Sequence, residues 1–131
     1  MALSAEGGSP FVCGGRQNGD YTDICYKYEA LSDKWLLFES MTEPRGWCGY
    51  DSSESWGLVM VGGTAGDEIL SSVERTIDGV LSTPLQALPG VIEESCVVII
   101  DSDRLLSIGG YPYPATSATL MYSASTDFWD R

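Results

Sequence analysis

The sequence contains no histidine. This absence removes the commonest general base, the imidazole ligands of metal sites and every catalytic triad that includes histidine. Basic residues are scarce too, because 7 Lys and Arg stand against 19 Asp and Glu and leave a net charge of −12. A chain of this charge repels phosphate backbones, so we expect no nucleic-acid partner. The acidic balance favours solubility, and a basic protein partner is the sharper alternative.

Long apolar runs are also missing. The longest covers residues 96–100, well short of the roughly 18 residues that indicate a membrane-spanning helix, so we expect no membrane partner. The first ten residues have neither a basic start nor an apolar stretch and are not predicted to be a signal peptide. The single asparagine, Asn18, lies outside any glycosylation sequon. These features leave the compartment open.

What the chain does have is an internal repeat. Glycine pairs end three apolar runs, at 14–15, 62–63 and 109–110, and are separated by 48 and 47 residues. A second marker agrees: Tyr28, Asp33 and Trp35 recur 94 residues later as Tyr122, Asp127 and Trp129. Two markers with one period predict a repeat protein with one domain over 1–131 and repeats of approximately 1–45, 46–93 and 94–131.

Each repeat divides into short apolar segments that turn residues separate, and no segment has a helical period. We therefore predict an all-β fold in which each repeat is a four-stranded antiparallel sheet. The chain is expected to begin near the second strand of one sheet and to end at the opening of a fourth strand, giving two and a half to three repeats. It is then a fragment of a larger protein or a module that assembles with others.

The residues resemble the kelch family. Its pattern is an apolar strand that ends in Gly-Gly, followed by a Tyr and by a Trp seven residues beyond it. The middle repeat keeps the glycine pair but departs afterwards, with Arg75-Thr76 at the Tyr position and Ser82 at the Trp position. The resemblance implies a β-propeller, here an incomplete ring, and a structural role for the repeat markers Gly14, Gly15, Gly62, Gly63, Gly109, Gly110, Tyr28, Trp35, Tyr122 and Trp129.

The resemblance also implies that partners bind at one rim, on the loops after the glycine pairs and between repeats. Tyr111 and Tyr113 lie on a proline-stiffened loop there and are candidate interface anchors, with packing against the next repeat as the alternative. Arg16 and Arg45 are candidate partners for a carboxylate. Their alternative is an internal ion pair with Asp20 or Glu43.

The cysteines allow one bridge. Cys13 ends a predicted strand and Cys25 opens the following one, so an antiparallel hairpin would bring them to disulfide distance. Cys48 and Cys96 hold equivalent positions in neighbouring repeats and are predicted to be free thiols in the core. A bridge would indicate an oxidising compartment, whereas two unpaired cysteines argue against one.

These features favour a protein–protein interaction scaffold rather than an enzyme, with no cofactor and no metal. Its partner is unknown, and further repeats or self-association would complete its ring. One alternative is a fragment of a galactose-oxidase-like enzyme whose catalytic residues lie outside this segment. The other is a secreted module that binds carbohydrate or matrix, with Trp47 and Trp56 as stacking candidates. Asp51, Asp101 and Asp103 are interpreted as turn residues rather than calcium ligands.

Overall fold

The computed structural model describes residues 1–4, 9–77, 80–81, 84–112 and 118–131 of the chain. Regular structure in these residues is β-strand throughout, and they contain no helix that could cross a membrane. The strands form three four-stranded antiparallel sheets and two short hairpins. The predicted all-β class is confirmed.

Within each large sheet the strands lie side by side in chain order. The first sheet consists of β1 (Ala2–Ser4), β2 (Phe11–Cys13), β5 (Cys25–Glu29) and β6 (Lys34–Leu37). The second consists of β7 (Gly49–Ser53), β8 (Gly57–Val61), β11 (Val73–Ile77) and β12 (Val80–Leu81). The third consists of β13 (Cys96–Ile99), β14 (Arg104–Ile108), β15 (Thr119–Ser123) and β16 (Phe128–Asp130).

The two hairpins follow glycine pairs: β3 (Arg16–Gln17) with β4 (Asp20–Tyr21), and β9 (Thr64–Ala65) with β10 (Glu68–Ile69). Among the described residues the first sheet has a first strand, β1, and the third sheet has a fourth strand, β16. The expectation that the chain begins near the second strand of a sheet is therefore wrong, whereas β16 lies where a fourth strand was expected to open. The short strand β1 carries little sequence signal, because three residues show no periodicity.

The second sheet is covered on both faces, which explains why β8 is apolar throughout. Leu58 and Met60 pack in a cluster with the first sheet, whereas Val59 and Val61 pack in a cluster with the third. Side chains alternate between the faces of a strand, so a strand buried on both sides needs apolar residues at every position. The three sheets are thus layered, with the second between the other two.

The glycine pairs close the contact between neighbouring repeats. The amide of Gly15 donates to the carbonyl of Arg45, and that of Gly63 donates to the carbonyl of Ile92, each at 2.8 Å. The first glycine of each pair has a positive φ, and a Cβ at Gly62 would lie 2.1 Å from the Ile92 carbonyl oxygen. Only glycine meets both demands.

In the middle repeat, the residue at the Trp position lies one place earlier in the sequence than expected. Strand register puts Leu81, not Ser82, opposite the residue that replaces the tyrosine, Thr76. Ser82 and the predicted turn at 78–79 lie outside the described residues. A shorter connection between the paired strands accounts for the offset: two residues separate Ile77 from Val80, whereas four separate Glu29 from Lys34. Strand register, not the residue count, therefore decides which positions stand opposite each other.

Candidate functional site

The loops at one end of the sheets form a continuous hydrogen-bonded belt, which we call the rim. It comprises the connections 42–48 and 89–95 and the segments 16–21, 64–69 and 111–112 that follow the glycine pairs. Gly46 exchanges backbone hydrogen bonds with Thr64, at 2.9 and 2.7 Å, and Glu93 does so with Tyr111, both at 2.8 Å. The expected interaction loops are therefore neighbours, held together by their backbones.

The hairpin of β3 and β4 packs against the first connection, 42–48. The ring of Tyr21 covers Gly46 so closely that a Cβ there would lie 2.5 Å from Cε1. Arg16 is exposed, lies over the Tyr21 ring at 5.3 Å and donates through Nη2 to the carbonyl of Gly19 at 2.6 Å. Arg16 thus remains a candidate rim cation, held by a carbonyl and a ring rather than by Asp20.

A cleft of about 840 Å³ opens at the rim. Its walls come from both connections and from the first glycine pair, and the lining residues are Met1, Gly14, Gly15, Arg16, Gly46, Trp47, Cys48, Glu94 and Ser95. The cleft therefore lies where the loops of all three sheets meet, because each connection links two neighbouring sheets. Ligand sites in proteins are commonly open clefts with a few convergent polar groups.

Trp47 and Glu94 occupy equivalent places on the two connections. Both have left-handed backbones, with φ of 52° and 56°, and the Glu94 amide donates to the Trp47 carbonyl at 2.7 Å. The indole of Trp47 is 57% exposed, so burial does not compensate for this conformation. A bulky residue held at positive φ with its side chain in solvent is a feature that points to function.

Tyr111 belongs to the rim and has an exposed ring. Its backbone is fixed by the two hydrogen bonds to Glu93, so the ring is presented from a stationary position. Tyr113, the other predicted anchor, lies outside the described residues.

Arg45 is not a rim cation, which corrects its assignment as an interaction residue. Its side chain is fully buried, and Nη2 lies 2.9 Å from Glu74 Oε2 and 3.2 Å from Glu43 Oε1. Nη1 donates to the carbonyl of Gly62 at 2.8 Å. The internal ion pair with Glu43 is present, and the buried pair with Glu74 ties the first connection to β11.

The rim carries several carboxylates. Glu93 accepts a hydrogen bond from the Thr64 hydroxyl, Glu94 lines the cleft, and Asp67 and Glu68 lie on the second hairpin. With Arg45 buried, the exposed charge of these loops is predominantly negative. An acidic surface beside an indole ring is suited to a basic side chain, because a cation gains from both carboxylate and π-face.

The three aspartates considered as calcium ligands have other partners. Asp51 accepts from the Ile99 amide at 2.7 Å, and Asp101 accepts from the Arg104 amide at 2.8 Å. The hydroxyl of Ser123 holds the pKa of Asp103 below its usual value, and Arg104 does the same for Asp101. These carboxylates stabilise turns and strand ends, and no metal-binding group of acidic or thiol side chains occurs among the described residues.

Cysteine and tryptophan positions refine the remaining candidates. Cys13 and Cys25 face each other across β2 and β5 and form a disulfide. Cys48 is partly buried, which raises the pKa of its thiol, but Cys96 is exposed and is not the core thiol that was expected. Trp56 is buried and donates to the Asp101 carbonyl at 2.6 Å, so it cannot stack on a carbohydrate.

Sequence reasoning named Trp47 only as a candidate for stacking on carbohydrate and did not single out Glu94. Their equivalence could be found from the repeat, since 47 residues separate them. Their positive φ could not, because neither residue type favours the left-handed region. Comparison with known proteins adds no assignment: no protein-family model matches the chain, and no curated protein matches it significantly.

Proposed function

We propose that this chain is a kelch-type β-propeller module that binds a protein partner at its rim, and that the partner presents a basic side chain to the cleft. The proposal rests on the repeat pattern and on three stacked four-stranded sheets. A further support is that the two rim connections share one backbone shape while their side chains differ, as is typical of loops that carry binding on a rigid scaffold.

One observation carries the proposal: the exposed indole of Trp47 at the mouth of the cleft. Its φ of 52° would cost less with glycine, and its side chain contributes little to the core. Tryptophan is also among the residues that contribute most to binding energy in protein interfaces. The partner's basic group would lie between this ring and Glu94.

The test uses Trp47→Gly. Glycine adopts positive φ freely, so this variant is expected to keep or slightly raise the free energy of unfolding while losing the ring. Peptides selected on the wild-type chain from a displayed random library would be synthesised, and their dissociation constants measured by calorimetry. We expect arginine or lysine in the selected peptides and at least a tenfold weaker affinity for the Trp47→Gly variant, about 1.4 kcal/mol.

Leu31→Gly is the matched control, because Leu31 is fully exposed and lies in the turn before β6, outside the rim. Equal affinity of the selected peptides for wild type and Trp47→Gly would contradict the proposal. So would selected peptides without basic residues whose binding does not change in a Glu94→Gln variant.

A second candidate, a secreted module that binds carbohydrate or matrix, has one observation in its favour. The Cys13–Cys25 disulfide is typical of proteins that fold in oxidising compartments. Of its two predicted stacking residues Trp47 is exposed and Trp56 is buried. Binding of an immobilised oligosaccharide array by wild type, lost in Trp47→Gly and kept in Leu31→Gly, would favour this candidate over a protein partner.

A further inference from the structure

The two interfaces between the sheets have the same direction. Each sheet has a forward face, turned toward the next sheet in the chain, and a backward face, turned toward the previous one. At the first interface, Phe11 and Cys13 on the forward face of the first sheet pack with Leu58 and Met60 on the backward face of the second.

The second interface repeats this arrangement with larger side chains. Val59 and Val61 on the forward face of the second sheet pack with Tyr122 and Trp129 on the backward face of the third. Phe11 and Val59 stand at the same distance before their glycine pairs, so equivalent residues perform the same packing twice. Forward-on-backward contact is therefore a general property of these sheets.

Two faces remain without a partner in the described structure. The first open face is the backward face of the first sheet and consists of Val12, Tyr26, Tyr28, Trp35 and Leu37. The third open face is the forward face of the third sheet; its apolar residues are Val98, Leu106, Ile108, Met121 and Phe128, and the same register places Arg104, Thr119, Ser123 and Asp130 beside them. Register and strand alternation place each set on one side of its sheet. Leu37 is 70% exposed and Phe128 61%.

These open faces are one backward face and one forward face, the two kinds that pack together inside the chain. On the two covered forward faces the cross-strand partners of Phe11 and Val59 are charged, Lys27 and Arg75 respectively. The equivalent position on the third open face is Met121, which pairs with Leu106. The third open face is therefore more apolar at its centre than the covered forward faces. Exposed apolar patches of this kind mark interaction surfaces.

We infer that the occupant of both open faces is a second copy of this chain. The first open face of each copy packs on the third open face of the other, so that two identical head-to-tail contacts form a closed dimer. The inference extends beyond rim binding, because it concerns the faces of the sheets rather than their connecting loops.

The number of sheets favours two copies. Sheets stacked in this way close into rings of about four to eight members. The three sheets of the described residues fall short of this number, whereas those of two copies, six in all, lie within it. A dimer of this kind covers the first and the third open face of each copy.

The charge of the chain makes this association dependent on salt. Each copy carries a net charge of −12, so two copies repel each other at low ionic strength. Salt screens that repulsion and strengthens apolar contact, and we expect the dimer to tighten as salt rises.

Sedimentation equilibrium of the whole chain at several concentrations tests the inference. The expected mass is twice the 14.2 kDa of one chain. Trp35→Glu on the first open face and Met121→Glu on the third are each expected to weaken dimerisation by about a hundredfold or more, because a carboxylate would be buried without a partner. Leu31→Glu adds the same charge in a turn and should leave the dimer intact.

A monomer at every concentration and salt would overturn the inference, as would open-ended polymers or dimers that survive both face variants. Should Trp35→Glu fail to fold by circular dichroism, Leu37→Glu replaces it, since that side chain is more exposed. Peptide binding by the Trp47→Gly variant and dimer mass are separate readouts, so failure of one leaves the other standing.

Discussion

The Tyr–Trp pair of the first sheet and that of the third have the same local structure but different burial. Tyr28 donates to Asp33 at 2.5 Å, and Tyr122 donates to Asp127 at 2.6 Å. Both aspartates have a left-handed backbone, and both pairs of rings are tilted against each other. The local structure of each Tyr–Trp pair is therefore set by contacts within its own eight residues, 28–35 and 122–129.

Burial, by contrast, depends on the neighbouring sheet. Trp129 is 5% exposed and donates to the Gln86 carbonyl at 2.8 Å, whereas Trp35 is 50% exposed. The third sheet has the second sheet behind it, and the first sheet has no described sheet in that place. The comparison teaches that the repeat encodes a shape locally, while its stability comes from the adjacent repeat.

The largest difference between the pairs is expected on removing the tryptophans. Trp129→Ala should lower the free energy of unfolding by about 3–5 kcal/mol, because it leaves a cavity between two sheets. At concentrations where the chain is monomeric, Trp35→Ala should have a much smaller effect, since half of the ring is already in solvent. Denaturant unfolding followed by circular dichroism measures both, and equal losses at low concentration would refute the comparison.

The second largest difference in stability between the two sheets is expected from the Cys13–Cys25 disulfide of the first sheet. Ile108 and Thr119 in the third sheet hold the places that Cys13 and Cys25 hold in the first. The double variant Cys13→Ala/Cys25→Ala should lose about 2–4 kcal/mol, because the bridge restricts the unfolded chain. Reductant should destabilise wild type by a similar amount and leave the double variant unchanged. A wild type indifferent to reductant would argue against a native bridge.

The smallest difference concerns the tyrosine hydroxyls. Tyr122→Phe should cost about 1 kcal/mol through the lost hydrogen bond to Asp127, and Tyr28→Phe should cost less, because water replaces the lost partner of an exposed hydroxyl. Burial, then Asp127, holds the pKa of Tyr122 above its usual value, and the hydrogen bond to Asp33 raises that of Tyr28. Denaturant titrations of both variants provide the comparison.

These raised pKa values give the pH dependence. A folded pKa above the unfolded one stabilises the fold at neutral pH, and this contribution is lost as pH rises above about 10, where tyrosine in the unfolded chain ionises. Wild type should therefore lose stability in alkali more steeply than Tyr122→Phe. Identical alkaline profiles would show that Tyr122 does not contribute.

Much of this fold is predictable from sequence because the repeat is marked by residues that adopt unusual backbone conformations. The glycine pairs and Asp33 mark positive φ, and the fully apolar β8 marks a strand covered on both faces. The burial of Arg45 was not predictable, since Ile92 holds the equivalent place in the other connection and only the fold brings Glu74 within reach.

The rim was partly predictable. Its loops follow from the repeat, and Tyr111 and Arg16 are exposed there. The left-handed backbone of Trp47 could not be recognised, because the hydrogen bond that accompanies it comes from the Glu94 amide, 47 positions away. Cys96 was misjudged because strand register makes it the counterpart of Gly49 rather than of Cys48: Cys96 pairs with Ile108 and Gly49 pairs with Val61, each one residue before a glycine pair.

The central claim is that a backward face of one sheet recognises a forward face of another. The most direct test mixes two variants, Trp35→Glu and Met121→Glu, each monomeric alone, and measures mass by sedimentation equilibrium. The mixture retains one intact contact, between the third open face of the first variant and the first open face of the second. We predict that heterodimers form in the mixture alone. A mixture that stays monomeric, or a single variant that dimerises by itself, would contradict the claim.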